Sequence, residues 1–113
     1  MHTTEGLVSK PCKGDVETVW NRLIETLKTM NVPLFATVDH AANARGSGLF
    51  MPETRVAFFG NPAVGTHLML ECPEVALELP LRMVVSDVPG QGTVLFMPDV
   101  LWLAQRYGIN PQL

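Results

Sequence analysis

The run Thr54-Arg55-Val56-Ala57-Phe58-Phe59, followed at once by Gly60-Asn61-Pro62, constrains this chain more than any other stretch. A β-branched and aromatic segment of that length reads as a strand, and three turn-forming residues in succession end it. Gly60 tolerates positive φ, Asn61 can cap a helix through its side-chain oxygen, and Pro62 suits a first helical position. A strand that runs straight into a helix start leaves backbone N–H groups at the joint, where anions and polar ligands bind.

The rest of the chain supplies elements on either side of this joint. Gly6-Leu7-Val8-Ser9 reads as a first strand ended by Pro11. Asp15 is placed to cap a helix, with Glu17 in its first turn facing the positive end of the helix dipole. Val16, Val19, Trp20, Leu23, Leu27 and Met30 then recur at steps of three and four, which gives one apolar face. Asn31 and Pro33 stop that helix. Leu34-Phe35-Ala36-Thr37-Val38 predicts a strand closed by Asp39-His40, and residues 41–48 a short helical turn or an ordered loop. Residues 67–72 are apolar enough for a short helix, with Thr66 as a second cap candidate, and Pro73 opens a further turn. Residues 81–88 and 93–97 form a hairpin across Pro89-Gly90-Gln91-Gly92. Asp99 caps a last helix over residues 100–107, and Gly108 stands where a C-terminal glycine belongs.

The order is β-α-β-β-α-β-β-α, without repeats or a linker, so residues 1–113 are expected to form a single domain. Strand pairs joined by short turns favour a two-layer α+β fold, a largely antiparallel sheet covered by helices on one face. At 113 residues, 47% of them hydrophobic and 17% charged, the chain can bury a core and is poorly suited to disorder. The same apolar content is compatible with an apolar interface.

Charge and cysteine usage narrow the partners. The net charge is −3 and the eight Lys and Arg residues are scattered, so no nucleic acid is expected. Cys12 and Cys72 are too few for a disulfide framework, and residues 1–11 show no signal-like start, so the expected location is cytoplasmic with reduced thiols. No membrane span is expected: residues 94–104, the longest candidate, are cut by Pro98 and Asp99.

Several segments together resemble one family. Asp39-His40-Ala41-Ala42, Phe59-Gly60-Asn61-Pro62, Gly65-Thr66, Leu68-Met69, Leu79-Pro80-Leu81-Arg82 and Leu103-Ala104-Gln105-Arg106-Tyr107-Gly108-Ile109 occur in that order. They are similar to the pattern of the domain of unknown function 302 family, and the Phe59–Thr66 segment is its most specific part. The resemblance implies a compact α+β fold of bacteria and archaea, commonly a homodimer, with no established reaction, cofactor or substrate. The chain departs from the family in having Ala63 where a basic residue is frequent and His67 where proline is frequent. Phe96-Met97-Pro98-Asp99 replaces its usual Tyr-Asn-Asp-Pro.

The chemistry-bearing residues are few. Asp39 and His40 are an acid–base pair by composition, although strand neighbours point to opposite faces and an Asp at a strand end commonly caps the next turn. His40, His67, Cys12 and Cys72 match no metal spacing, and both cysteines lie beside or near proline in apolar surroundings that leave thiols inert. The loop over residues 60–66 is the best candidate. Its backbone donors, the Asn61 amide and the Thr66 hydroxyl can hold a carboxylate or phosphate, with charge from Arg55 or Arg82. It lacks the spacing and the lysine of a P-loop.

The expected function is small-ligand or anion binding by a homodimer, with Asp39, His40, Arg55, Gly60, Asn61, Gly65, Thr66 and Arg82 as ligand-binding residues and no metal or cofactor. Two alternatives stand beside it: an enzyme using His40 or His67 as general base, and a structural or interaction module. Trp102 and the methionines fit either an interface or a core.

Overall fold

A computed structural model describes residues 5–110; part of the stretch read for a leader, residues 1–4, lies outside them. Strand β1 (Leu7–Pro11) leads to helix α1 (Val16–Thr29), strand β2 (Leu34–Asp39) and a short helix α2 (His40–Gly46). Strand β3 (Thr54–Phe59) is followed by helix α3 (Pro62–Glu71) and a 3-10 segment (Pro73–Glu78). The hairpin of β4 (Leu81–Val88) and β5 (Gly92–Pro98) then leads to α4 (Val100–Tyr107).

The five strands form one sheet in the order β1-β5-β4-β3-β2, and every neighbouring pair is antiparallel. The fold is thus α+β with an antiparallel sheet, as the sequence predicts. Arg55 faces Val85, Ala57 faces Met83 and Phe59 faces Leu81 across β3 and β4, so these alternate residues share one face. Helix α1 lies on that face. Its Val16 and Val19 pack on Val85 with Leu95, and its Leu27 packs on Ala57 and Phe59 with Leu81 and Met83. Because β1 and β2 are opposite edges, α1 must cross the sheet to join them, which explains its unbroken apolar face.

Local chemistry sets the helix ends. Asp15, Asp39 and Asn61 each accept from a backbone N–H in the first turn that follows, and Asp99 accepts from two. After α1, Asn31 takes a left-handed φ of 55° and the helix stops. Gly108 ends α4 at a φ of 65°.

Two expectations need correction. Residues 41–48 take the helical of the two expected forms, but helix α2 begins at His40, so His40 does not close the strand as expected. The apolar helix expected over residues 67–72 begins at Pro62 instead, and Thr66 lies inside it rather than at its cap. Asn61 and Pro62 together form a stronger helix start than Thr66, because cap and first position are both satisfied.

Candidate functional site

The β3–α3 joint opens onto a cavity of about 680 Å³, between the ends of β3 and β4 and the layer made by α3, the 3-10 segment and α4. Phe59 and Leu81 form its floor on the sheet. Leu68, Met69, Leu79 and Ile109 wall it from the helical side. That helical layer holds its own small cluster, Cys72, Val75 and Ile109 with Leu68, Met69, Leu79, Ala104 and Tyr107. The layer is thinly covered: no residue of α3 or α4 is fully buried, although α3 is apolar nearly all round. A helix of that composition is normally buried, so its exposed flank leaves the cavity accessible from solvent.

Four expected site residues meet here. Gly60, Asn61, Gly65 and Thr66 all line the cavity. Their polar groups are largely spent on the fold. Gly60 N donates to Pro33 O at 3.1 Å, and Ala63 N donates to Asn61 Oδ1 at 2.9 Å. The Thr66 hydroxyl donates to Pro62 O at 2.7 Å, and Pro62 has no N–H to offer. Gly65 keeps the α3 backbone close to Leu79, whose Cδ1 lies 3.7 Å from where a Cβ would stand.

Two other expected residues, Arg55 and Asp39, form a separate cluster. The Arg55 guanidinium donates to Glu17 Oε2 at 2.6 Å, lies 3.8 Å from Glu53 and stands 5.9 Å from the Trp20 ring centre. Asp39 Oδ2 is 3.9 Å from Arg55 Nε, too long for a hydrogen bond, while its Oδ1 accepts from Ala42 N at 2.9 Å. Donating to Glu17 holds the guanidinium still more firmly protonated. A smaller recess of about 370 Å³ beside it is lined by Asp15, Glu17, Glu53, Arg55 and Asp87. The Glu17–Arg55 pair ties the start of α1 to β3, and none of these residues lines the larger cavity.

The remaining candidates are placed plainly. His40 is exposed at the start of α2, and His67 is exposed on α3. Neither takes part in a hydrogen bond or ion pair among the described residues. No set of three or more His, Cys, Asp or Glu groups suited to a metal occurs among the described residues. Arg82 lies 3.8 Å from Glu78.

Glu78 is the residue that sequence reasoning missed. It is the one charged side chain lining the cavity among the described residues, and its Oε2 accepts from the Tyr107 hydroxyl at 2.6 Å. That bond, then burial, raises the Tyr107 pKa and keeps the phenol protonated. Nothing local in Pro73-Glu74-Val75-Ala76-Leu77-Glu78 separates Glu78 from Glu74; only the approach of α4 does. Trp102, undecided between core and surface, is half-buried with its ring against Gly6, and Arg106 lies 5.6 Å from the ring centre.

Comparison with known proteins adds the following. The model of a family described as "Domain of unknown function DUF302" matches residues 8–113. A curated relative named "Fluoride-specific ion channel FluC 1" from Brucella suis biovar 1 is 37% identical over 106 residues, covering 93% of this chain and 41% of the relative. A protein of the same name from Brucella abortus biovar 1 is also 37% identical over 106 residues, with 93% of this chain and 39% of that protein covered. The chain thus spans about two fifths of the length of these relatives. Among the described residues no helix is long and apolar enough to cross a membrane. Among solved structures, the "uncharacterized conserved protein DUF302 from Bacillus stearothermophilus" superposes with a TM-score of 0.81 at 20% identity, over 96% of this chain and 84% of that one.

Proposed function

The chain belongs to the DUF302 family, and from that premise we propose that it is a small-ligand-binding domain acting as a homodimer, with the ligand held in the cavity at the β3–α3 joint. One observation carries the reading: an accessible cavity of about 680 Å³ in a 113-residue chain, lined almost wholly by apolar side chains with a few polar groups. Sites for small molecules have this size and this character. An anion at the start of α3 is the weaker form of the proposal. Pro62 lacks a donor there, and the Ala63 amide already serves Asn61.

The test is titration with the neutral fluorophore N-phenyl-1-naphthylamine. The chain should bind it saturably, and Gly65→Leu, which extends a side chain into the cavity near Leu79, should weaken binding at least about tenfold. Equal binding by the variant, with its melting temperature retained, sinks the assignment.

A second reading has its own support. The curated relatives are named as ion channels and are more than twice the length of the segment they share with this chain. Leu70, Leu77 and Leu101 are 77%, 78% and 62% exposed. In this reading the domain is an interaction module that works beside a larger partner, through an apolar surface that a folded monomer leaves bare. Leu70→Ser and Leu77→Ser should then abolish association without changing probe binding. The enzyme alternative has the least support, since both described histidines stand apart from any hydrogen-bond partner.

A further inference from the structure

Glu78 stands apart from the other residues that line the cavity, being the one charged side chain among those described. It sits in an apolar wall, accepts one hydrogen bond from Tyr107 and has Arg82 only at 3.8 Å. A carboxylate offers about four acceptor positions, so a residue that lines the cavity keeps unspent acceptor capacity. A negatively charged ligand group brought beside it is repelled. A hydroxyl or ammonium group completes the acceptor instead, and leaving such a group unpaired beside the ligand body carries a cost.

We propose that the cavity takes a lipophilic molecule carrying no negative charge and ending in a hydrogen-bond donor, a long-chain alcohol or amine in chemical class, with Glu78 as the residue that receives the donor. The inference rests on the small-ligand reading above and goes beyond it by excluding carboxylate and phosphate ligands. Tyr107 and Arg82 are positioning residues: the first fixes one carboxylate oxygen, and the second offsets part of its charge from outside the lining.

The experiment displaces bound N-phenyl-1-naphthylamine with decanol, decylamine and decanoate at about pH 8, where the acid is ionised and the amine protonated. Decanol and decylamine should displace the probe at concentrations about tenfold lower than decanoate. Glu78→Gln keeps the shape and removes the charge, and should shrink that difference to under about threefold. Arg82→Gln, at an exposed position, leaves Glu78 less neutralised and should widen it by about threefold. Decanoate binding as tightly as decanol overturns the ligand class while leaving the cavity reading intact. A preference unchanged in both variants overturns the role of Glu78. Failure of the probe itself to bind the native chain removes the cavity reading, and this inference with it.

Discussion

At the scale of single residues, the polar side chains mostly serve the backbone, and the exceptions are informative. The Cys72 thiol donates to Glu74 Oε1 at 2.7 Å, and that bond, followed by burial, raises its pKa. Cys12 is half-buried and carries only a long contact of 3.4 Å to Lys10 O. A disulfide reagent at neutral pH should therefore titrate Cys12 in the native protein, and Cys72 only after denaturant is added; fast reaction of both would contradict the buried thiol. Asp15 behaves oppositely. Hydrogen bonding from Thr18, through its side chain and then its backbone N–H at 2.8 Å, lowers its pKa. Its folded pKa lies below the unfolded value of about 3.9, so its stabilisation is complete above that value and is lost as pH falls through the folded one. Asp15→Asn keeps an accepting oxygen without the charge, and should flatten the fall of melting temperature between about pH 5 and pH 2. The caps at Asp15, Asp39, Asn61 and Asp99 were legible in the sequence because a cap needs only its own neighbours. Glu78 was not, because its partner Tyr107 arrives from 29 residues away.

At the scale of elements, α1 and α3 obey different rules. Helix α1 presents a periodic apolar face that the sheet buries, with Leu27 only 7% exposed. Leu27→Ala should cost about 2–5 kcal/mol in urea unfolding. Helix α3 has no such face: its apolar residues point all round, so periodicity gave poor guidance to its start, and only the Asn61-Pro62 signal marks it. Gly65 sits inside α3 without a positive φ, and an added Cβ would meet Leu79 at ordinary van der Waals distance. Gly65→Ala should stabilise the fold by about 0.5–1 kcal/mol by lowering the entropy of the unfolded chain. A drop in stability would mean that the cavity wall tolerates no added methyl. Helix α2 was only half legible. Its Ala, Asn and Gly residues carry too little apolar pattern to separate a helix from a loop, although Ala41 is fully buried.

At the scale of the whole molecule, antiparallel pairing was readable from short turns, but the strand order was not. Hairpins fix neighbours, whereas the placement of β1 beside β5 depends on contacts that local pattern does not encode. The cavity was illegible for a similar reason, since its apolar lining reads as ordinary core until the elements are assembled. With Leu34 and Phe35 at the outer strand and Leu70, Leu77 and Leu101 on the helical layer all exposed, the proposed homodimer should be held by apolar contact. Native mass spectrometry should then give twice the 12.4 kDa chain mass, and light scattering the same dimer at low and high salt; a bare monomer in both would end that proposal. The β1–β5 pairing also bears on synthesis. Leu7 pairs with Pro98, so β1 has no partner until β5 has left the ribosome. Strand β1 is made before the other four and its only neighbour is made last, so its backbone stays unmatched while β2, β3 and β4 are synthesised. Folding of this domain is consequently a late, high-contact-order event, and a chain stopped before β5 loses two of its five strands from the sheet at once, since β1 has no other partner.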